Sequence, residues 1–249
     1  MKNYLSFAIV LFSLLAFPQF AYSSSDQTVL ITGANRGIGL EYAKQFLAKG
    51  YKVIGTARKP ATATELKKSG AEVLQLDVTD EKSVADLKAA LKGRAIDILI
   101  NNAGYFDRQD VTLDKVDFNT FARTLDINTL GPLRVTQALI GNLEKGQRKT
   151  VISMSSGLGS IEKSTGRWYA YRTSKTGLNQ INKILSTEYK DQGFIFTVVH
   201  PGWVQTDMGG SNATYTPTQS VQGLIKVIEG LTTKDSGQFY DLNGKSIPW

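Results

Sequence analysis

The chain has 249 residues, of which 41% are hydrophobic and 20% charged, so it is long enough for one substantial core and has nothing of a disordered composition. It carries no cysteine and one histidine, which excludes disulfides, thiol catalysis, iron–sulfur clusters and Cys/His zinc sites, and no carboxylate cluster proposes another metal. The formal net charge of +7 comes from scattered Lys and Arg without a basic tail or a nucleic-acid motif, which points to small anions and away from nucleic acid.

The first two dozen residues differ from the rest. Met1, Lys2 and Asn3 precede an apolar run from Leu5 to Phe17, Pro18 ends it, and Ala21-Tyr22-Ser23 offers small residues at cleavage spacing. This pattern predicts a signal peptide over residues 1–23, hence an exported (periplasmic or secreted) protein whose domain spans residues 24–249. The run is short for a membrane span. An uncleaved membrane anchor, or a mis-assigned start that leaves a cytoplasmic chain, remain the alternatives.

From Thr28 onward short apolar runs alternate with helical patterns. Thr28 to Thr32 reads as a strand ending in a glycine turn, followed by a helix from Gly37 to Lys49 closed by Gly50. Tyr51 to Thr56 is a second strand, residues 61–69 are helical, and Glu72 to Leu76 is a third strand. A helix from Asp80 to Lys92, capped by Asp80 or Thr79, leads to the strand Ile96 to Ile100, apolar apart from Asp97. Two separate helices are predicted at 115–129 and 131–144, then a strand from Lys149 to Met154 and a long helix over 167–190. Phe194 to Val199 is a buried strand, 207–216 a polar loop, 217–230 a helix, and Gln238 to Asp241 a terminal strand. Regular βαβ alternation implies a single α/β domain: a Rossmann-like, doubly wound parallel sheet of about seven strands with helices on both faces. Ligands bind such sheets at the carboxyl ends of the strands.

The turn Thr32-Gly33-Ala34-Asn35-Arg36-Gly37-Ile38-Gly39 suits a pyrophosphate, because glycines admit close backbone approach and the following helix points its N-terminus there. Tyr171 and Lys175 lie one helical turn apart and share a face. An ammonium beside the phenol is expected to lower its pKa from about 10, making it a proton donor and acceptor for a carbonyl/alcohol pair. A hydroxyl from Ser155-Ser156 could bond the developing alkoxide. After the second strand, Gly55-Thr56-Ala57-Arg58-Lys59 has no acid for a ribose 2′-hydroxyl, whereas Arg58 and Arg36 could grip a 2′-phosphate, so NADP(H) is the expected cofactor. His200 could suggest a Ser/His hydrolase, but no G-x-S-x-G elbow accompanies it, and it reads as a strand-end residue. Trp168, Tyr169 and Trp203 could line an apolar pocket or simply pack.

Four motifs in order carry a family resemblance: Thr32 to Gly39, Asn101-Asn102-Ala103-Gly104, Tyr171-Arg172-Thr173-Ser174-Lys175, and Pro201-Gly202. Together they resemble the short-chain dehydrogenase/reductase family. The stretches Trp168 to Lys175 and Pro201 to Gly210 are most similar to its carbonyl-reductase-like branch, which includes C-factor and sniffer-type proteins. The resemblance implies hydride transfer between NADP(H) and a small-molecule carbonyl, and a homo-oligomer (dimer or tetramer) paired through long helices. It implies a catalytic set of Asn128, Ser156, Tyr171 and Lys175, with Ser155 as the alternative serine. Asn128 would hold a water that links Lys175 to solvent. It places the cofactor against Thr32, Gly33, Asn35, Arg36, Gly37, Ile38 and Gly39, and against Arg58, Asp77, Val78, Asn101, Ala103 and Gly104. Tyr171, Lys175, Pro201, Gly202, Val204 and Thr206 complete that set, with Asp77 and Val78 at the adenine and Thr206 at the nicotinamide carboxamide. The same resemblance admits a nucleotide-binding signalling protein with little or no turnover.

Overall fold

The computed structural model describes residues 26–249, so the expected signal peptide lies outside the described residues. Seven parallel strands form one sheet in the order β3-β2-β1-β4-β5-β6-β7. They are β1 (Thr28–Ile31), β2 (Lys52–Ala57), β3 (Glu72–Gln75), β4 (Ile98–Asn101), β5 (Thr150–Met154), β6 (Ile195–His200) and β7 (Phe239–Asp241). The order reverses between β1 and β4, whose register pairs Ile31 with Ile100, and there the two halves part at their carboxyl ends.

Alternation along each strand feeds two cores. Val29 and Ile31 join Tyr42 and Phe46 of α1 (Gly37–Ala48) and Leu224 and Ile228 of α7 (Pro217–Gly230) on one face. Leu30 and Leu99 join Leu87 of α3 (Glu81–Ala90) and Leu139 of α5 (Gly131–Glu144) on the other. A short α2 (Thr64–Lys68) packs Leu66 against the first core. Asp80 caps α3 by accepting from the Lys82 amide, one of the two caps expected.

One expectation changes. The helices expected at 115–129 and 131–144 are a continuous run: α4 (Phe118–Leu125), a π-helical turn (Asp126–Leu130) and α5. Pro132 has no N–H for the carbonyl four residues back, and the chain widens by one residue instead of breaking. Gly131 brings this run against the sheet edge, since a Cβ there would lie 2.8 Å from Val78. The long α6 (Tyr169–Glu188) packs beside α4 and delivers its first turn to the carboxyl ends of the strands.

Candidate active site

The loops after β1 to β6 surround a cleft of about 1120 Å³ over the switch point. That exceeds the roughly 300–1,000 Å³ of pockets for drug-sized ligands and suits an extended one. At its floor lies the glycine turn. Gly33 and Gly37 have φ of +64° and +54°, which side chains resist. A Cβ at Gly39 would sit 2.5 Å from the Gly33 carbonyl oxygen and 2.5 Å from the Asn102 side-chain nitrogen Nδ2. The N-terminus of α1 carries no side-chain cap and no acid in its first turn, so its N–H groups face the cleft without a competing anion. Thr32 is buried. Its hydroxyl accepts from the Asn102 and Ala103 amides at 3.0 Å each, which locks the β1 turn to the β4 turn.

Several expected cofactor residues line this cleft: Gly33, Asn35, Arg36, Gly37, Ile38, Gly39, Arg58, Asp77, Val78, Ala103, Gly104, Tyr171, Lys175, Pro201 and Thr206. Four others serve the frame. Asn101 is a correction: its side chain continues the β4 alternation into the core and donates to Thr136 Oγ1 at 3.1 Å. Asn102 is the neighbour that reaches the cleft, with its amide on the Thr32 and Gly33 carbonyls. Val204 is buried and bridges Tyr215, and Gly202 (φ +79°) leaves no room for a Cβ against Leu242 and Tyr215. Thr32 acts through the clamp just described.

Arg36 and Arg58 both border the cleft, and both are exposed. Arg36 Nη1 lies 2.9 Å from Asp207 Oδ2, an exposed pair that reaches across the opening. Burial is the largest influence on Asp77 and pushes its carboxyl up. Two hydrogen bonds from Thr79 and the Arg58 charge outweigh it and hold the group below the usual carboxylate range. On the opposite wall Arg123, Asp126, Ile127 and Leu130, which belong to none of the motifs, face the cleft. Their i, i+3, i+4, i+7 spacing is a helix face and was the available signal. Arg123 stacks its guanidinium 4.7 Å from the Tyr105 ring centroid.

At the other end the candidate catalytic groups converge. The Ser156 hydroxyl accepts from the Leu158 amide at 3.2 Å and is near enough to the Tyr171 phenol to pull its pKa down. Ser155 instead donates to Asn179 Oδ1 at 2.6 Å inside the core. Ser155 also borders the cleft, and of the two serines Ser156 is the one that influences the phenol. Lys175 Nζ donates to the Met154 carbonyl at 2.8 Å and stands 5.6 Å from the Tyr171 ring centroid.

The electrostatics differ from the expectation. Burial pushes the Tyr171 phenol up to about 12, with Ser156 pulling the other way, and burial brings the Lys175 ammonium down to about 8. The expectation rested on the nearby ammonium alone and left burial out. In the fold both side chains are under one-tenth exposed, and desolvation wins over the charge 5.6 Å away.

Asn128 lies inside the π turn and not at a helix end. Its Oδ1 accepts from the Tyr105 amide at 2.7 Å, and its Nδ2 donates to the Tyr105 carbonyl and to Ser174 Oγ. The amide group therefore brackets the backbone beside Gly104, where a Cβ would lie 3.5 Å from Asn128 Oδ1 and 3.8 Å from Lys175 Nζ. Phe106 stacks on Tyr171 with centroids 4.3 Å apart and meets Trp168 edge-on at 5.7 Å. Tyr169 and Trp203 are exposed, and the Trp203 indole donates to the Gly209 carbonyl. His200 ends β6 beside Gly157; burial, the largest influence, lowers it to about 4, with Asp241 opposing and Lys163 assisting.

Residues 27–216 match the family described as short chain dehydrogenase. The chain belongs to the short-chain dehydrogenase family. C-signal of Myxococcus xanthus is 45% identical over 155 residues, covering 62% of this chain and 93% of that protein. Among solved structures, the NADPH-bound carbonyl reductase from chicken fatty liver has a TM-score of 0.83 and 34% identity, covering 90% of this chain and 99% of that one. Carbonyl reductase Sniffer of D. melanogaster follows at 0.82 and 33%, with the same coverage. This short-chain dehydrogenase thus has the oxidoreductase framework of carbonyl reductases.

Proposed function

We propose that the protein reduces a small-molecule carbonyl with NADPH, using Tyr171 as the proton donor. One observation carries this reading. A single cleft runs from Arg36 and Arg58, past the glycine turn, to Tyr171 and Lys175, with Ser156 close to the phenol. The residues fit a dinucleotide phosphate: the glycines leave open the space a Cβ would fill, and the two guanidinium groups suit a 2′-phosphate. The NADPH-bound relative from chicken supports the same choice.

When bound, NADPH supplies the hydride that the carbonyl carbon accepts. The protein's task is the proton. With the phenol raised to about 12, Tyr171 holds its proton at neutral pH and can release it to the carbonyl oxygen as charge develops there. The Ser156 hydroxyl, beside that phenol, has one proton and can donate it as a hydrogen bond to the same carbonyl oxygen. Lys175, at about 8, is mostly protonated at pH 7 and stabilises the phenolate left behind. Asn128 fixes Tyr105 and Ser174, and so holds the wall that Lys175 shares. Both acids are protonated at neutral pH, the form of the site that carbonyl reduction uses.

The test is NADPH oxidation by the purified chain against a panel of aldehydes, ketones and quinones. Turnover on at least one class is the expected result. The 45% identity to C-signal favours one second reading, a nucleotide-binding signalling protein. That reading gains if NADPH binds and no member of the panel is reduced.

A further inference from the structure

The proposed proton donor sits in the first turn of a helix that lacks a cap of its own. Tyr171 is the third residue of α6; Trp168, just before it, makes no side-chain cap bond, and the first turn holds no acid. Arg167 and Trp168 enter the helix with φ of +63° and +55°. Non-glycine residues keep such angles only where their surroundings hold them.

What holds them comes from the loop after β4. The Asp110 main-chain carbonyl accepts from the Trp168 amide at 2.9 Å, and its carboxylate accepts from the Ala170 amide at 2.7 Å across 60 residues of sequence. Asp110 is 4% exposed, and its second carboxylate oxygen is buried without a hydrogen-bond partner. Among the described residues no basic side chain forms an ion pair with it. Its counter-charge is the N-terminus of α6. The same loop carries Phe106, which stacks on Tyr171. From the other side Arg172 Nε donates to the Arg167 carbonyl and Nη2 to Thr165 Oγ1, both at 3.0 Å.

We infer that Asp110 is a positioning residue for the reaction. It fixes the first turn of α6, and through it the Tyr171 hydroxyl, while tying the Phe106 loop to the same helix. The inference rests on Tyr171 being the proton donor. Misplacing a reacting group by about 1 Å costs about 10²-fold in rate, so Asp110→Ala lowers kcat by about 10–100-fold. Asp110 is not part of the cleft lining, and NADPH affinity stays unchanged. Asn caps helices about as well as Asp, so Asp110→Asn retains turnover within about fivefold.

The experiment compares the full chain with Asp110→Ala, Asp110→Asn, Tyr171→Phe and the Asp110→Ala/Tyr171→Phe double variant. It reads kcat and KM for a reduced carbonyl, NADPH affinity by fluorescence, and amide hydrogen exchange. In Asp110→Ala the amides of Trp168 and Ala170 exchange faster, β5 stays protected, kcat falls, and Asp110→Asn restores both. Asp110→Ala adds little to the loss in Tyr171→Phe, because both act at one proton. Unchanged kcat and exchange in Asp110→Ala overturn the inference while leaving Tyr171 in place. So does Asp110→Asn failing as badly as Asp110→Ala, or exchange that accelerates equally in β5. Full turnover in Tyr171→Phe instead removes the proton-donor reading itself, and the positioning role with it.

Discussion

Replacing Lys175 by Met exchanges a buried ammonium for an apolar chain of similar reach. Burial lowers this amine from 10.5 to about 8. At about 1.36 kcal/mol per pH unit, that difference weighs against the folded state by about 3 kcal/mol while the group is charged. The substitution also strands the Met154 carbonyl, which now accepts from Lys175 at 2.8 Å. An unsatisfied buried acceptor costs about 1–3 kcal/mol. The balance makes the Met variant more stable than the natural chain at pH 7 by about 1 kcal/mol. The sign then reverses. Between pH 8 and 10.5 the unfolded chain binds more protons at Lys175 than the folded one, so the natural chain gains stability as pH rises and the Met variant does not. Across that window the difference shifts by about 3 kcal/mol in favour of the natural chain. Tyr171 acts in the opposite sense above pH 10, with its stabilisation lost as pH rises toward 12, but it is present in both chains. Urea unfolding of both proteins at steps from pH 7 to pH 10.5 measures the difference. A difference that stays flat across the window would refute the burial argument. The same variant should lose turnover and NADPH affinity, so its stability gain comes at the expense of function.

Two further outcomes follow from the charge pattern and the N-terminal segment. Arg58→Asp should weaken NADPH binding selectively and leave NADH binding largely unchanged, because it places an anion where a 2′-phosphate would lie; equal affinities for NADPH and NADH in the natural chain would contradict the assignment. We also propose that residues 1–23 are a cleaved export signal. A chain beginning at Ser24 should then fold and bind NADPH normally, whereas loss of the cooperative unfolding transition would place those residues in the domain.

The sheet was legible because its strands are short apolar runs, such as the Leu99-Ile100 stretch of β4, and because glycine turns and helix caps punctuate them. The glycine turn and the Tyr171/Lys175 pair were legible because their function depends on local spacing. The π turn was not: Gly131-Pro132 looks like a stop, and only the packing of Gly131 against Val78 explains why the helix runs through. The choice between Ser155 and Ser156 depends on which hydroxyl meets Asn179 and which meets Tyr171, contacts made across the fold. The direction of the Tyr171 shift was not legible for a related reason, since helical spacing gives proximity and says nothing of burial. Asp110 had no local signal at all, because a lone acid in a loop becomes a cap only when α6 arrives beside it.

The most direct measurement is the steady-state rate of Tyr171→Phe with NADPH and a reduced carbonyl, alongside NADPH affinity in the same variant. The ring stays to pack against Phe106, and only the hydroxyl is removed. Positioned acid–base groups contribute about 10²–10⁴-fold. The expected result is a fall in kcat of at least about 10²-fold with NADPH affinity nearly unchanged. Turnover equal to that of the natural chain would contradict it.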